Sequence, residues 1–215
     1  AVGYAAAESL HDDQSIVVVA TASAKKFVDG RPKEPPAVLY RPENPAATRG
    51  ASTLFVVGMP AVGKSSVARS MSGRSSLDLD DEIARLNDGE SVGSLVARMS
   101  ADEFAVIERD ALRQVCARDS IPEIVSTGGS VACDPECVEI MRGVPNSIVA
   151  WLDAPTSVIE ERMGGSAEER GVVFPPGVST VEELQAFRRP LYRSAADVKI
   201  DATDSAERWL EPLFA

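Results

Sequence analysis

Gly58-Met59-Pro60-Ala61-Val62-Gly63-Lys64-Ser65 fits the pattern G-x-x-x-x-G-K-[ST] and directly follows the apolar run Leu54-Phe55-Val56-Val57. A strand feeding a glycine-bounded loop is a phosphate cradle, because glycines let successive backbone N–H groups turn inward toward an anion. The next helix begins at Lys64 or Ser65 with its positive dipole end facing that anion. The spacing predicts nucleotide contacts from Gly58, Pro60, Ala61, Val62, Gly63, Lys64, Ser65 and Ser66. Lys64 would reach the β- and γ-phosphates of a nucleoside triphosphate and Ser65 would ligate Mg²⁺. The competing reading is a chance match on an ordinary strand-to-helix turn, which the strand context disfavours.

Three further groups carry chemistry. Asp78-Leu79-Asp80 is expected to end the second strand, where the period of two puts both carboxylates on one face beside the loop. One of them can then serve Mg²⁺, which borrows only one or two protein carboxylates, and the other can accept the proton of a substrate hydroxyl. The bland alternative is that Asp80-Asp81-Glu82 favours a helix N-terminus through the dipole. Ser126-Thr127-Gly128-Gly129-Ser130 follows the third strand, and two glycines at a strand's carboxyl end let a ligand approach the backbone. Arg162 precedes Gly164-Gly165 and a polar stretch with the composition of a mobile lid. Arg188-Arg189-Pro190-Leu191-Tyr192 is expected at the end of the following helix, where one arginine could clamp a carboxylate or simply complement the dipole.

The elements that must position these groups alternate. Strands are expected at 52–58, 75–79, 123–127, 147–153 and 197–201. Helices are expected from Lys64 to about Ser72, through 81–119, and at 134–142, 155–163, 180–193 and 204–214. The fold class is therefore α/β, a central parallel sheet of about five strands with helices on both faces and the ligand at the carboxyl ends of strands. Residues 51–215 form this domain. Ser15–Ala22 is a strand candidate within a tail of residues 1–35, and Pro-rich 36–50 reads as linker.

A formal net charge of −11 repels phosphate polymers and anionic lipid, so neither nucleic acid nor a membrane is the expected partner. No stretch approaches the ~18 apolar residues of a membrane span. Three cysteines make no disulfide framework and suit a reducing compartment: cytoplasm, or a plastid whose targeting segment lies outside this sequence. Cys133-x-x-x-Cys137 is a weak metal signal, because the single histidine, His11, is far away in sequence.

Over residues 52 to about 212 the chain resembles the shikimate kinases. The resemblance rests on the phosphate loop, Asp78-x-Asp80, Phe104-x-x-x-Glu108, Gly128-Gly129, Arg162 before the lid and Arg188-x-Pro190-Leu191-Tyr192, in that order. It implies the P-loop nucleoside-monophosphate-kinase fold and phosphoryl transfer from ATP to the 3-hydroxyl of shikimate. Lys64, Asp78 and Asp80 would be catalytic, with Asp78 serving Mg²⁺ through water and Asp80 holding the accepting hydroxyl; Arg162 would pack on adenine, and Asp80, Glu108, Gly128, Gly129 and Arg188 would hold the acceptor. Three positions depart from the family: Ala105 stands where it has arginine, Ser130 replaces a third glycine, and the lid has no evident Arg-Pro, Arg170 being the nearest basic residue. Arg109 lies on the helical face of Ala105 and is expected to reach back into the vacated place. Residues 1–7 and 18–27 resemble the end of a pyridoxal-phosphate-dependent threonine synthase, which implies a covalently fused neighbour upstream. Other readings are a kinase for another hydroxy acid such as homoserine, or a catalytically weak nucleotide-binding regulatory module.

Overall fold

The structure is a computed structural model. It describes residues 50–164, 171–203, 206 and 210–214 and, ahead of them, the backbone of four two-residue extended segments. Five parallel strands form its centre: β1 (Thr53–Gly58), β2 (Ser76–Asp78), β3 (Ile124–Ser126), β4 (Ser147–Asp153) and β5 (Val198–Asp201). Their spatial order is β2-β3-β1-β4-β5. Leu54 pairs with both Ile124 and Ile148, so β1 lies between two neighbours and is buried along its whole length. A strand covered on both faces has no polar alternation, and this is why Leu54–Val57 reads as an unbroken apolar run.

Seven α-helices are described: α1 (Lys64–Ser70), α2 (Leu79–Leu86), α3 (Val92–Arg98), α4 (Ala101–Cys116), α5 (Pro135–Gly143), α6 (Thr156–Met163) and α7 (Val181–Ala195). Local chemistry sets their starts. Ser100 with Glu103, and Thr180 with Glu183, form reciprocal capping boxes, and Asp134 caps α5 ahead of Pro135. The helical stretch expected over 81–119 divides in three. Asp88 and Gly89 both take positive φ after α2, and Ser91 and Ser100 cap the next two helices.

Two expectations are corrected. The second strand stops at Asp78, whose carboxylate accepts the Asp80 N–H at 3.1 Å, so Asp80 lies in the first turn of α2. The cap ends the strand one residue short of the expected 79 and replaces the strand period by a helical one. The helix expected over 180–193 contains Pro190 and runs two residues further, to Ala195. Among the short segments, Val38–Leu39 pairs antiparallel with Val198 and Lys199 of β5, and Val17–Val18 pairs with Val38–Leu39. Two residues read as linker thus cover an otherwise open sheet edge. The rest of the tail and linker, and 204–205 and 207–209 of the last expected helix, lie outside the described residues; Glu211–Phe214 form a 3₁₀ turn.

Candidate active site

β1 delivers its carboxyl end to the loop between two central neighbours. Gly58 has φ +143°, and a Cβ there would meet the backbone oxygen of Leu152 at 2.4 Å, so only glycine fits beside β4. Gly63, at φ 109°, opens α1. Lys64 is buried, and its ammonium donates to the carbonyls of Gly58 at 3.0 Å and Met59 at 2.9 Å, drawing the loop around it. Burial pulls its pKa down to about 8, against the attraction of Asp80 and Asp78. The hydroxyls of Ser65 and Ser126 lie 3.4 Å apart.

A cleft of about 940 Å³ opens over this loop, lined by Pro60, Ala61, Val62, Gly63, Lys64, Ser65 and Ser66 together with Asp80, Thr127, Arg162 and Ala202. Its size suits a nucleotide-scale ligand. Arg162 donates to the carbonyls of Val62 (3.1 Å), Ala202 (2.8 Å) and Thr203 (2.7 Å), tying the loop to the segment after β5. Thr127 is a lining residue that the sequence reading passed over. Its hydroxyl bonds to Val56 O at 3.1 Å, and its place ahead of Gly128 was the available signal.

Asp80 lines the cleft and adjoins a charged floor packed around Gly128 and Gly129. Solvent reaches Asp80 from the cleft, yet protein crowds it on the remaining sides. That desolvation, with Asp78 beside it, pushes its pKa up to about 6 despite Lys64. Glu108 of α4 is buried, and burial lifts it to about 7. A Cβ on Gly128 would stand 2.4 Å from Glu108 Oε1 and 3.4 Å from Asp80 Oδ1, so both carboxylates converge on this glycine. A Cβ on Gly129 would lie 2.9 Å from both Arg188 Nη1 and Pro60 Cδ. Arg188 is itself buried and donates to Val173 O at 2.8 Å. Tyr192, one turn further along α7, donates its hydroxyl to Gly129 O at 2.6 Å and pins the double-glycine loop.

Lys64, Asp78, Asp80, Glu108, Gly128, Gly129 and Arg188 are therefore gathered at the carboxyl ends of β1–β3. Arg109 is held elsewhere: its guanidinium pairs with Asp134 at 2.7 Å and Glu136 at 3.2 Å, at the start of α5. A ligand near Ala105 must compete with Asp134 for it. Arg189 turns to Asp153 at 3.2 Å, so only the first of the two arginines enters the floor. No group of three or more His, Cys, Asp or Glu suited to a metal occurs among the described residues, and burial raises the thiols of Cys133 and Cys137. Residues 165–170 of the expected lid, Arg170 included, lie outside the described residues. Beyond them Val172 is buried and Phe174 packs on the core.

The family model described as shikimate kinase matches residues 60–213. The chain is 30% identical over 148 residues to a shikimate kinase of Nitratidesulfovibrio vulgaris, covering 66% of this chain and 82% of that protein. It is also 30% identical over 161 residues to shikimate kinase 2 of Photorhabdus laumondii, covering 72% of this chain and 89% of that one. A bifunctional shikimate kinase/3-dehydroquinate synthase of Thermotoga maritima matches at 30% over 142 residues, 65% of this chain and 27% of that longer protein. The fold matches the structure of Acinetobacter baumannii shikimate kinase in complex with shikimate, with a TM-score of 0.61, 23% identity and coverage of 77% of this chain and 92% of that one. With the loop and Asp80 lining one cleft and Glu108, Gly128, Gly129 and Arg188 packed together beside Asp80, the chain belongs to the shikimate kinase family.

Proposed function

We propose that this domain transfers the γ-phosphoryl group of ATP to the 3-hydroxyl of shikimate, a step of aromatic amino-acid biosynthesis. The observation that carries this reading is the floor beside the phosphate loop, where Asp80 and Glu108 meet at Gly128 and buried Arg188 backs Gly129. Carboxylates that accept hydroxyls and a guanidinium that takes a carboxylate together suit a polyhydroxy acid.

The loop amides and Lys64 hold the phosphates, and the exposed side of Arg162 is a platform for adenine. Asp80, with its pKa near 6, is ionised at neutral pH and basic enough to take the proton of the attacking hydroxyl. Glu108, Gly128, Gly129 and Arg188 orient the acceptor; Arg109 joins them on release from Asp134. Ser65 and Asp78 fit Mg²⁺, an ion that keeps most of its waters, and their small oxygen set at the loop is of the required kind. When bound, the ion supplies charge neutralisation between the β- and γ-phosphates.

The assay is ADP release by purified protein with Mg-ATP and, in turn, shikimate, homoserine or no acceptor. Shikimate-dependent release is expected. Homoserine-dependent release would move the acceptor to that amino acid, release without acceptor would make the domain an ATPase, and bound but unconsumed ATP would make it a regulatory module. Arg109→Ala is expected to raise the acceptor KM roughly tenfold, as loss of one charge-assisted bond does; an unchanged KM removes Arg109 from the set.

Residues 1–35 are read as the end of a threonine-synthase-like neighbour on sequence resemblance alone, and sequencing the full transcript tests it. No described helix is long and apolar enough to cross a membrane. A reducing compartment, cytoplasm or plastid, is supported by the free thiols of Cys116, Cys133 and Cys137, and imaging of a tagged full-length chain decides between the two.

A further inference from the structure

Ser130 stands where the family resemblance leads one to expect glycine, and its hydroxyl does something no glycine can. It occupies the cap position of the 3₁₀ turn Val131–Cys133 without using its side chain as a cap. The turn closes through backbone alone, Cys133 N–H donating to Ser130 O at 2.7 Å. The hydroxyl instead crosses to α4 and donates to Glu108 Oε2 at 2.6 Å. With Oε2 engaged, Oε1 is left against Gly128, on the side shared with Asp80 Oδ1.

Resting on the shikimate kinase reading above, we infer that Ser130 is a positioning residue for the acceptor: its hydroxyl fixes Glu108 in one orientation and favours its ionised form, so that Oε1 receives an acceptor hydroxyl beside Asp80. The need for such a donor follows from the surroundings. Glu108 is buried and faces Asp80 from α2, Lys64 from α1, Asp134 at the start of α5, Cys133 on the 3₁₀ turn, Cys137 of α5 and Arg188 from α7. Burial and the two aspartates favour its protonated form, and Ser130, Arg188 and Lys64 oppose them. A protonated Glu108 would offer the acceptor a donor where an acceptor of hydrogen bonds is required. Ser130 has φ −92° and ψ −23°, a conformation that alanine adopts freely, so the hydroxyl can be removed without backbone strain.

The test uses Ser130→Ala and the hydroxyl-keeping Ser130→Thr in the intact chain. The Glu108 carboxyl is titrated by carbon-13 NMR, with Glu108→Gln assigning the resonance, and kinetics are measured across pH. In Ser130→Ala the carboxyl midpoint moves to higher pH and the acidic limb of kcat/KM for shikimate moves with it. The shikimate KM rises roughly tenfold on that limb, while the ATP KM and the melting temperature hold. Ser130→Thr restores the wild-type profile. An unmoved carboxyl midpoint overturns the inference, and so does a parallel rise of both KM values with a lowered melting temperature. If the wild type releases no ADP with shikimate, the functional reading fails, and the carboxyl midpoint still decides whether Ser130 holds Glu108.

Discussion

Gly128→Ala separates function from stability in a way the geometry makes quantitative. The added methyl would sit 2.4 Å from Glu108 Oε1, about 1 Å inside ordinary van der Waals contact, and 3.4 Å from Asp80 Oδ1, where it is tolerated. Gly128 does not have a positive φ, so the backbone accepts alanine. What must give is the far end of the Glu108 side chain. A retreat of roughly 1 Å stretches the 2.6 Å bond from Ser130 past the range of hydrogen bonding and withdraws the carboxylate from the acceptor. Losing one such charge-assisted bond is worth about 1.5–3 kcal/mol, or roughly 10- to 150-fold. The expected outcome is a shikimate KM raised by that factor, an ATP KM within twofold of wild type, and a melting temperature lowered by no more than about 4 °C, the equivalent of ~1 kcal/mol in a domain of this size. ADP-release kinetics with each substrate varied in turn, and a thermal melt, give all three numbers. A wild-type shikimate KM would refute the placement of Glu108 at the acceptor, and a loss of ATP affinity of equal size would refute the separation of the two subsites. Gly58→Ala is the counterpart: its methyl meets the Leu152 backbone oxygen at the same 2.4 Å, in a residue already at φ +143°, and nothing flexible is available to move. That variant is expected to lose its cooperative thermal transition and its native far-ultraviolet spectrum.

Other outcomes follow from the same floor. Between pH 5 and 7 activity and stability should run in opposite directions. Folding raises Asp80 from 3.8 to about 6 and Glu108 from 4.5 to about 7, so the folded chain binds more protons than the unfolded one in that window and these two groups favour folding less as pH rises. Turnover rises over the same range because Asp80 must be ionised to accept a proton. Asp80→Asn with Glu108→Gln should flatten this part of the stability curve in urea titrations, and an unchanged slope would show that neither carboxylate titrates abnormally. Arg188→Lys keeps the charge but loses the planar fork that backs Gly129 and reaches Val173 O; the shikimate KM is expected to rise ~10- to 100-fold with the ATP KM unaltered. Equal effects on both substrates would place Arg188 on the nucleotide instead.

Much of the site was legible because its chemistry is local to the backbone. A glycine-bounded loop between an apolar run and a helix needs only eight adjacent residues to be recognised, and Lys64 and Ser65 do stand in the cleft with the loop. The alternation of apolar strands and amphipathic helices likewise announced a parallel sheet, since each element's periodicity records which of its own faces is buried. The capping chemistry at Asp78 was equally local, but it was outweighed by the period-two reading of Asp78-Leu79-Asp80. The placement of Asp80 was right in outline and wrong in its element.

Other features were settled by contacts between residues far apart in the chain. Arg188 and Arg189 are neighbours of identical chemistry, yet one turns into the floor and the other to Asp153, a choice made by their angles around α7 and by what β4 presents there. Arg109 is drawn off by Asp134, a partner 25 residues away that no helical wheel contains. The Ser130–Glu108 bond spans 22 residues and the Tyr192–Gly129 bond 63. Sequence by itself determined that a triphosphate cradle sits at the end of a central strand, because the conformational demands of that loop are written in its own glycines. Only the packed structure decided which side chains complete the charged floor beside the loop, because a hydrogen bond or ion pair depends on where two separate elements bring their atoms, and the spacing of residues along one chain carries no record of that distance.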